Sequence, residues 1–163
     1  MYLKLKNIIS DALCKELIEI YKSQNTVGKI NKKVFEFRTN WNQGVDNKVK
    51  NFLDTTIVPL AKNQWQFRNY EYTNIKIREY PTGSFYEQHV DFYHPQPSKI
   101  YLSFSIVLND AFQGGEFVLK SDQKFDIKKN DGIVFEGTDV HEVLKITSGY
   151  RMSLIGHLIA DRK

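Results

Sequence analysis

The sequence predicts a mainly β domain with N-terminal helices, folded as a jelly roll. Two apolar patterns with a helical period precede Trp65, whereas the segments after it are short and mostly alternate between apolar and polar residues. Glycine and aspartate stand at the joints between these segments, which is typical of a sandwich or barrel. Because the helices come first and the strands later, we expect the helices to pack on one outer face of the jelly roll.

The N-terminal part is predicted to begin with a short strand over residues 2–6. Ser10 then caps a helix that runs to about Lys22, since its hydroxyl can accept a hydrogen bond from an N–H group of the first turn. The polar stretch 23–33 is predicted to be a loop, and the alternating stretch 34–38 to be a strand.

A second helix is predicted over residues 45–62, with Pro59 weakening its last turn because proline cannot donate a backbone hydrogen bond. The remaining chain is punctuated into short segments by turn residues, and these segments are predicted to be the strands of the jelly roll. They cover residues 70–80, 85–90, 99–108, 116–119, 124–127, 132–135, 140–146 and 150–159.

The composition indicates one ordinary globular domain. The chain has 163 residues, of which 41% are hydrophobic and 13% aromatic, so a core can form without disulfides. The single cysteine, Cys14, excludes an intrachain disulfide and a cysteine-rich zinc site. No linker or internal repeat divides the sequence. We therefore expect a single domain over residues 1–163, with a helical N-terminal support over about 1–65 and a β core over about 66–163.

The N-terminal stretch alternates and carries charge, so it has no apolar signal-peptide core, and no later stretch is apolar enough to cross a bilayer. A cytoplasmic location without membrane association is expected. The net charge of +4 is mild and is spread along the chain, which favours a solvated surface over a nucleic-acid-binding one. The sequence leaves the oligomeric state open.

His89, Asp91 and His141 form a candidate metal site. Positions two apart in a strand point the same way, so the first two can present an imidazole and a carboxylate to one ion, and a folded sheet could bring His141 beside them. Two imidazoles and one carboxylate are the ligands of non-haem Fe(II) oxygenases, and they leave coordination positions open. Taken singly, His-x-Asp also fits a surface turn, and a lone histidine is often structural.

Arg151 lies ten residues after His141, in a stretch whose apolar neighbours indicate a largely buried strand. A buried arginine needs an anionic partner, and its planar fork of donors suits a carboxylate. The alternative is an ordinary surface arginine on a C-terminal strand.

The residues around these four resemble the motifs of prolyl 4-hydroxylase-like 2-oxoglutarate/Fe(II) dioxygenases, from about residue 70 to the C-terminus. The stretch from Tyr80 to Asp91 is similar to the motif Tyr-x-x-Gly-x-x-Tyr-x-x-His-x-Asp. The other matching segments are Leu108-Asn109 with Gly114-Gly115-Glu116, the turn and strand from Lys129 to Phe135, and the spacing from His141 to Gly149-Tyr150-Arg151.

This resemblance implies a double-stranded β-helix, the cupin-like form of the jelly roll. It implies Fe(II) on His89, Asp91 and His141, and 2-oxoglutarate whose far carboxylate pairs with Arg151 and whose neighbour is the Tyr80 hydroxyl. The implied reaction is an O2-dependent hydroxylation, of a proline in a peptide or protein, that releases succinate and CO2. Ascorbate is a further candidate cofactor.

Other residues are candidates for the pocket. Tyr86 takes the motif's second tyrosine and is expected to be a wall or a hydrogen-bond donor of the pocket, or else a core residue. Arg38 and Trp41 are candidates for the substrate rim, or for an ordinary strand end. His157 stands where many relatives have tryptophan, as a pocket donor or a satisfied core histidine.

The chain departs from the family at Val107, where relatives often have a tyrosine that can bind the 2-oxoglutarate carboxylate. Ser103 or another polar group is expected to compensate. His94, close to the metal motif, is a rival ligand, or a residue on the substrate side or in solvent.

Two other functions stay open. The same chemistry could demethylate nucleic-acid bases, but the alkylation-repair relatives have a second arginine on the last strand where this chain offers only His157. A metal-binding jelly roll without turnover would have a damaged triad or no anion partner, and neither is the case here.

Overall fold

The structure is a computed structural model that describes residues 1–23, 28–30, 34–38 and 43–163, with the side chains of 1–23 and 47–163. Strands dominate the part of the chain that it describes. They are β1 Tyr2–Leu5, β2 Gly28–Ile30, β3 Val34–Arg38, β4 Phe67–Pro81, β5 Tyr86–His89, β6 Lys99–Val107, β7 Phe112–Gly114, β8 Phe117–Leu119, β9 Gln123–Phe125, β10 Gly132–Glu136, β11 His141–Val143 and β12 Ile146–Arg162.

The strands form two sheets, as the sequence predicts for a jelly roll. The large sheet has the order β1-β10-β6-β12-β4-β3-β2, with β7 paired to β12, and the small sheet has the order β5-β11-β8-β9. The sheets meet over an apolar cluster that includes Val107, Ile133 and Phe135 from the large sheet and Phe117 and Val143 from the small one. The mouth between the sheets is where a jelly roll can hold a ligand.

The helices cover the other face of the large sheet. Leu17, Leu53 and Ala61 pack in one buried cluster with Ile77 and Leu154 of the central strands. The central strands of the large sheet are therefore covered on both faces, by the helices on one side and by the small sheet on the other. The predicted placement of the helices on one outer face is confirmed.

The first helix, α1 Asp11–Ser23, begins where the sequence predicts. The Ser10 hydroxyl accepts a hydrogen bond from the backbone N–H of Leu13 over 3.2 Å, which satisfies one free donor of the first turn. Cys14, Leu17 and Tyr21 are the buried residues of this helix.

The predicted second helix is wrong in its detail, because it is three elements. They are α2 Gln43–Phe52, a π-helical turn Leu53–Ile57 and α3 Val58–Trp65. Pro59 lies in the first turn of α3 and does not weaken a last turn. A proline at this position removes no hydrogen bond of the helix, because first-turn N–H groups have no partner inside it. The π-helical turn accommodates the change in hydrogen bonding just before the proline.

Two strands were not predicted. β2 lies inside the predicted loop 23–33 and pairs antiparallel with β3, so it is stabilised by its partner and not by its own three-residue pattern. The rest of that predicted loop beyond Ser23, residues 24–27 and 31–33, lies outside the described residues. β7 pairs with the first residues of β12, which begins at Ile146 instead of residue 150.

No helix in the described part of the chain is long and apolar enough to cross a membrane. The extent of the domain over residues 1–163, with its division near residue 65, stays a prediction, as does the location in the cell.

Candidate metal and co-substrate site

The three predicted metal ligands come together at the mouth between the sheets. His89 and His141 lie opposite each other in the register of β5 and β11, and Asp91 follows just after β5. Their candidate ligand atoms all lie within 4.8 Å of one another. Each imidazole Nε2 is 3.5 Å from an oxygen of the Asp91 carboxylate. The group could hold one metal ion.

Backbone carbonyls fix the tautomers of both histidines. The Nδ1 of His89 is 2.7 Å from the carbonyl oxygen of Glu87, and the Nδ1 of His141 is 3.0 Å from that of Asp139. A ring nitrogen that faces a carbonyl must carry the proton if it is to donate. Each Nε2 therefore keeps its lone pair and points it into the site, which is what a metal requires.

The Asp91 carboxylate is held from behind by a polar chain. The Ser103 hydroxyl donates to its Oδ2 over 2.6 Å and lies 3.0 Å from Nδ1 of His157, whose Nε2 is 3.1 Å from the side-chain amide of Asn74. These contacts fix one face of the carboxylate and leave its other oxygen turned toward His89.

The electrostatics keep the donors in the forms that bind a metal. Burial opposes the charge on Asp91, but His89, His141 and His157 together with the Ser103 hydroxyl outweigh it and hold the pKa of this carboxyl below its usual range. Burial lowers the pKa of His141 to about 4, partly against the attraction of Asp91, so this imidazole is neutral at pH 7. Burial also lowers the pKa of His157.

Aromatic rings close the side of the site that faces the small sheet and the core. The Tyr86 ring lies 4.4 Å from the His89 ring, and the rings of Phe117 and Phe135 lie 5.7 and 4.6 Å from the His141 ring. They restrict water and keep both imidazoles in single orientations. Tyr86 is also among the residues that line the cavity.

Arg151 lies on β12 opposite Tyr80 of β4 and is 1% exposed. None of its three guanidinium nitrogens has a hydrogen-bond partner among the described residues. Its guanidinium carbon is 5.4 Å from the centre of the Tyr80 ring, whose hydroxyl accepts a hydrogen bond from Arg78 over 3.2 Å. Arg151 is therefore a buried cation behind a tyrosine that lines the cavity, and it requires an anion.

Ser153 is a residue that the sequence prediction missed. It follows Arg151 by two positions on β12, so it lies on the same face, and its buried hydroxyl has no hydrogen-bond partner in the part of the chain that the structure describes. In the register it stands between Val107 and Arg78. It therefore offers a donor beside the position where the family's tyrosine is missing. The pattern Arg-x-Ser on a strand was the available signal.

Ser103 does not have the predicted compensating role. Its hydroxyl is committed to Asp91 and His157, and it lies two register rows away from Val107, which is itself fully buried. His157 lines the cavity, with its Nδ1 3.0 Å from the Ser103 hydroxyl, and its role as a pocket donor stays a prediction. His94 is exposed in the loop after Asp91 and is not part of the three-residue metal group.

A cavity of about 410 Å³ opens onto the three candidate ligands and is lined by both sheets. Its wall on β4 consists of Asn74, Lys76, Arg78 and Tyr80, of which the sequence prediction assigned only the tyrosine to the site. The position of the predicted rim residues relative to this cavity stays a prediction. Arg38 ends β3 but its side chain lies outside the described residues, and so does Trp41.

Residues 75–158, just over half of the chain, match the family model of the 2OG-Fe(II) oxygenase superfamily. The chain therefore belongs to the 2OG-Fe(II) oxygenase superfamily, a family of dioxygenase enzymes, as its motifs predict.

Among curated proteins, the chain is similar to a PKHD-type hydroxylase of Prochlorococcus marinus (strain MIT 9215), with 34% identity over 79 residues that cover 45% of this chain and 36% of the relative. A PKHD-type hydroxylase of strain AS9601 is 34% identical over 76 residues, covering 44% and 34%. The chain thus matches about a third of the length of these relatives.

Solved structures share the fold. A prolyl-4-hydroxylase of Pseudomonas putida superposes with a TM-score of 0.72 at 19% identity, over 99% of this chain and 92% of that one. A 2OG-Fe(II) oxygenase family oxidoreductase of Burkholderia pseudomallei gives 0.77 at 19%, over 96% and 83%. A prolyl hydroxylase of Trichoplax adhaerens, in complex with a hypoxia inducible factor peptide fragment, gives 0.67 at 15%, over 98% and 83%. These likenesses confirm the jelly-roll fold.

Proposed function

We propose that the protein is a 2-oxoglutarate- and O2-dependent Fe(II) hydroxylase in which His89, Asp91 and His141 hold the metal. The donor set supports Fe(II), because two neutral imidazoles and one carboxylate suit this ion and leave positions open for other ligands. The preset tautomers and the short distances between the donor atoms support binding of one ion.

The observation that carries the proposal is the buried Arg151 without a partner. An arginine that is 1% exposed and whose guanidinium makes no hydrogen bond to the described residues is costly in a protein that binds nothing there. The far carboxylate of 2-oxoglutarate would satisfy it with a bidentate, charge-assisted contact. The unused hydroxyl of Ser153 and the phenol of Tyr80 lie beside it as further donors.

When bound, Fe(II) and 2-oxoglutarate supply the oxidation of an unactivated C–H bond by O2, with release of succinate and CO2. The chain contributes geometry and exclusion of water. Ser103 orients the Asp91 carboxylate, the carbonyls of Glu87 and Asp139 orient the imidazoles, and Phe117 and Phe135 keep water from the core side of the site.

For the substrate we propose a proline in a peptide or protein, as in prolyl 4-hydroxylases. The run of motif residues from Tyr80 to Asp91 supports this, as do the prolyl hydroxylases among the structures with the same fold. Arg38 and Trp41 stay candidates for peptide contact, and ascorbate stays a candidate cofactor. Oxidative demethylation of nucleic-acid bases is the alternative outcome of the substrate screen.

The metal and co-substrate assignment is tested by adding Fe(II) and 2-oxoglutarate to the protein without O2. A weak visible charge-transfer band is expected, and it should vanish in His89→Ala. The absence of a band in the wild type, or an unchanged band in the variant, would contradict the assignment. Lys128→Met, a change at a surface lysine that is 70% exposed, is the matched control and should keep the band.

The substrate is tested by incubating the loaded protein with a peptide library in O2 and searching for +16 products by mass spectrometry. Hydroxylated prolines are expected. Oxidation confined to the bases of single-stranded DNA or RNA would replace the prolyl assignment with base demethylation. Turnover of 2-oxoglutarate that is independent of every added peptide and nucleic acid would contradict both.

A further inference from the structure

The strand that carries the first candidate metal ligand lies at the edge of its sheet. β5 Tyr86–His89 begins the order β5-β11-β8-β9, and in the part of the chain that the structure describes it pairs with β11 alone. Gln88 is exposed, and both Gln88 and Val90 line the cavity that opens onto the metal site. An open strand edge beside a cavity presents main-chain donors and acceptors to a molecule that enters it.

The pairing on the far side of β11 fixes which main-chain groups of β5 face outward. The carbonyl of Val140 accepts a hydrogen bond from the N–H of Lys120, so the main-chain groups of Val140 face β8. Successive residues of an antiparallel strand turn their groups to alternate sides, so those of His141 face β5. His141 lies opposite His89 in the register, and the two residues therefore exchange their main-chain hydrogen bonds.

The groups on either side of His89 consequently point away from the sheet. The peptide bonds of this strand are trans, so the Gln88 carbonyl is opposed to the N–H of His89, and the Val90 N–H is opposed to the carbonyl of His89. Neither outward group has a hydrogen-bond partner among the described residues. The edge thus offers an acceptor and a donor, one on each side of a metal ligand.

An extended peptide that runs antiparallel to β5 complements this pair. The peptide residue opposite His89 turns its own main-chain groups away, while the next residue donates its N–H to the Gln88 carbonyl and the preceding residue accepts from the Val90 N–H. Residues opposed in this way have Cα atoms about 4.5 Å apart and side chains on the same face of the sheet. The residue opposite His89 therefore has its side chain in the cavity, beside the imidazole of the metal site.

Proline fits the position opposite His89, because that is the position at which the peptide needs no N–H group. In a parallel arrangement the residue opposite His89 would have to donate its N–H, which proline lacks. The residue before a proline also favours extended backbone, as strand pairing requires. The geometry of the edge therefore combines a proline target with the need for an N–H at the residue that follows it.

We propose that the peptide substrate adds to the free edge of β5 as an antiparallel strand, with its target residue opposite His89 and its neighbours bound by the Gln88 carbonyl and the Val90 N–H. The inference rests on the proposed function, because it assumes that a peptide is oxidised in this cavity. It deepens that function by naming the substrate class: an extended segment recognised through its main chain, with a residue other than proline after the target.

The test is a binding experiment that does not depend on turnover. The protein is loaded with Zn(II) and 2-oxoglutarate, and the peptide Ac-Thr-Val-Pro-Val-Thr-NH2, whose β-branched residues favour extended backbone, is titrated and followed by ligand-observed NMR. N-methylation of the valine after the proline removes the N–H that donates to Gln88 and should raise the Kd roughly tenfold or more. N-methylation of the final threonine is the matched control, because its N–H points away from β5, and it should change the Kd less than about threefold.

A variant of the protein tests the other hydrogen bond. Val90→Pro removes the outward N–H and should raise the Kd of the unmodified peptide several-fold, whereas Val90→Ala keeps the N–H and should retain most of the affinity. Co(II) binding by both variants shows whether the metal site between His89 and Asp91 is intact. The N-methyl peptides require no change in the protein, so they decide the proposal even where Val90→Pro fails to fold.

The outcomes separate this inference from the proposed function. Absence of binding by the unmodified peptide, equal losses for the two N-methyl peptides, or no effect of the methyl group after the proline would overturn the edge pairing. If the charge-transfer band is absent while the N-methyl pattern holds, the hydroxylase assignment falls and the edge pairing stands. Hydroxylation that proceeds equally well with the methyl group after the proline would leave the hydroxylase assignment and overturn the edge pairing.

Discussion

The contact between Ser103 and Asp91 allows a quantitative prediction about metal affinity. The Ser103 hydroxyl donates to Asp91 Oδ2 over 2.6 Å at a carboxylate that is 15% exposed. A hydrogen bond to a charged group contributes about 1.5–3 kcal/mol, and loss of a partner that orients a metal ligand weakens metal affinity by about 10- to 100-fold. We expect Ser103→Ala to weaken binding of a divalent metal by a factor in this range.

The assay is a competition for Co(II) or Fe(II) against a chromophoric chelator without O2. Ser105→Ala is the matched control, because Ser105 follows two positions later on β6, is also buried and lines the same cavity. Its metal affinity should be that of the wild type, and Ser103→Thr, which keeps a hydroxyl, should recover most of the loss. Equal effects of the two alanine variants would refute the reasoning, because the loss would then reflect packing and not orientation of Asp91.

Three further predictions concern the co-substrate anchor, the hairpin and the cysteine. Arg151→Met should raise the Kd of 2-oxoglutarate roughly 30-fold or more, as a titration would measure. It should also increase the free energy of unfolding of the ligand-free protein in urea, because it removes a buried charge without a hydrogen-bond partner among the described residues. Equal losses of metal and co-substrate binding would contradict the role proposed for Arg151. Gly115→Ala should destabilise the fold by about 1–3 kcal/mol in thermal denaturation, since its Cβ would lie 2.3 Å from Ile146 Cδ1 at a φ of +70. Gly83→Ala is the control, because a Cβ at Gly83 would meet open space at a φ of +86 and should add only backbone strain. Burial raises the pKa of Cys14 to about 11, so the thiol should resist a thiol reagent at pH 8 in the native protein and react once the protein is unfolded. Rapid labelling of the native protein would contradict the burial of this residue.

The parts of the fold that the sequence predicted are those with strong local signals. The cap at Ser10, the alternation in β4 and the apolar runs of β6 and β12 fix their elements without reference to the rest of the chain. β2 and β7 have three residues each and exist through their partners, so no local pattern could reveal them. The π-helical turn depends on how α2 and α3 fit the sheet around Pro59, which periodicity does not encode.

In the candidate site, too, the residues with a strong local signal were predicted and the others were not. The triad was found because His89 and Asp91 share a strand face and lie within ordered motifs, and Arg151 because a charge interrupts an apolar strand. Lys76 and Arg78 were not predicted to line the site, because the alternation of apolar and polar residues in β4 defines two faces of the strand but does not tell which face is exposed to solvent. In β4 the apolar face packs on the helices, so the charged face lines the cavity.

The division of the site between the two sheets has a consequence for stability. His89 and His141 belong to the small sheet, whereas Arg151 and Ser153 belong to the large one, so a metal and a co-substrate bound as proposed would connect two layers that otherwise meet through apolar packing and a few polar contacts such as that of Ser103 with Asp91. Such a ligand pair would hold the two layers of the sandwich together and would bind only while they are docked. By linkage it raises the free energy of unfolding as RT ln(1 + [L]/Kd), about 2.7 kcal/mol at a hundredfold excess over Kd. The supply of iron and 2-oxoglutarate would then govern how long the folded protein persists as well as how fast it turns over.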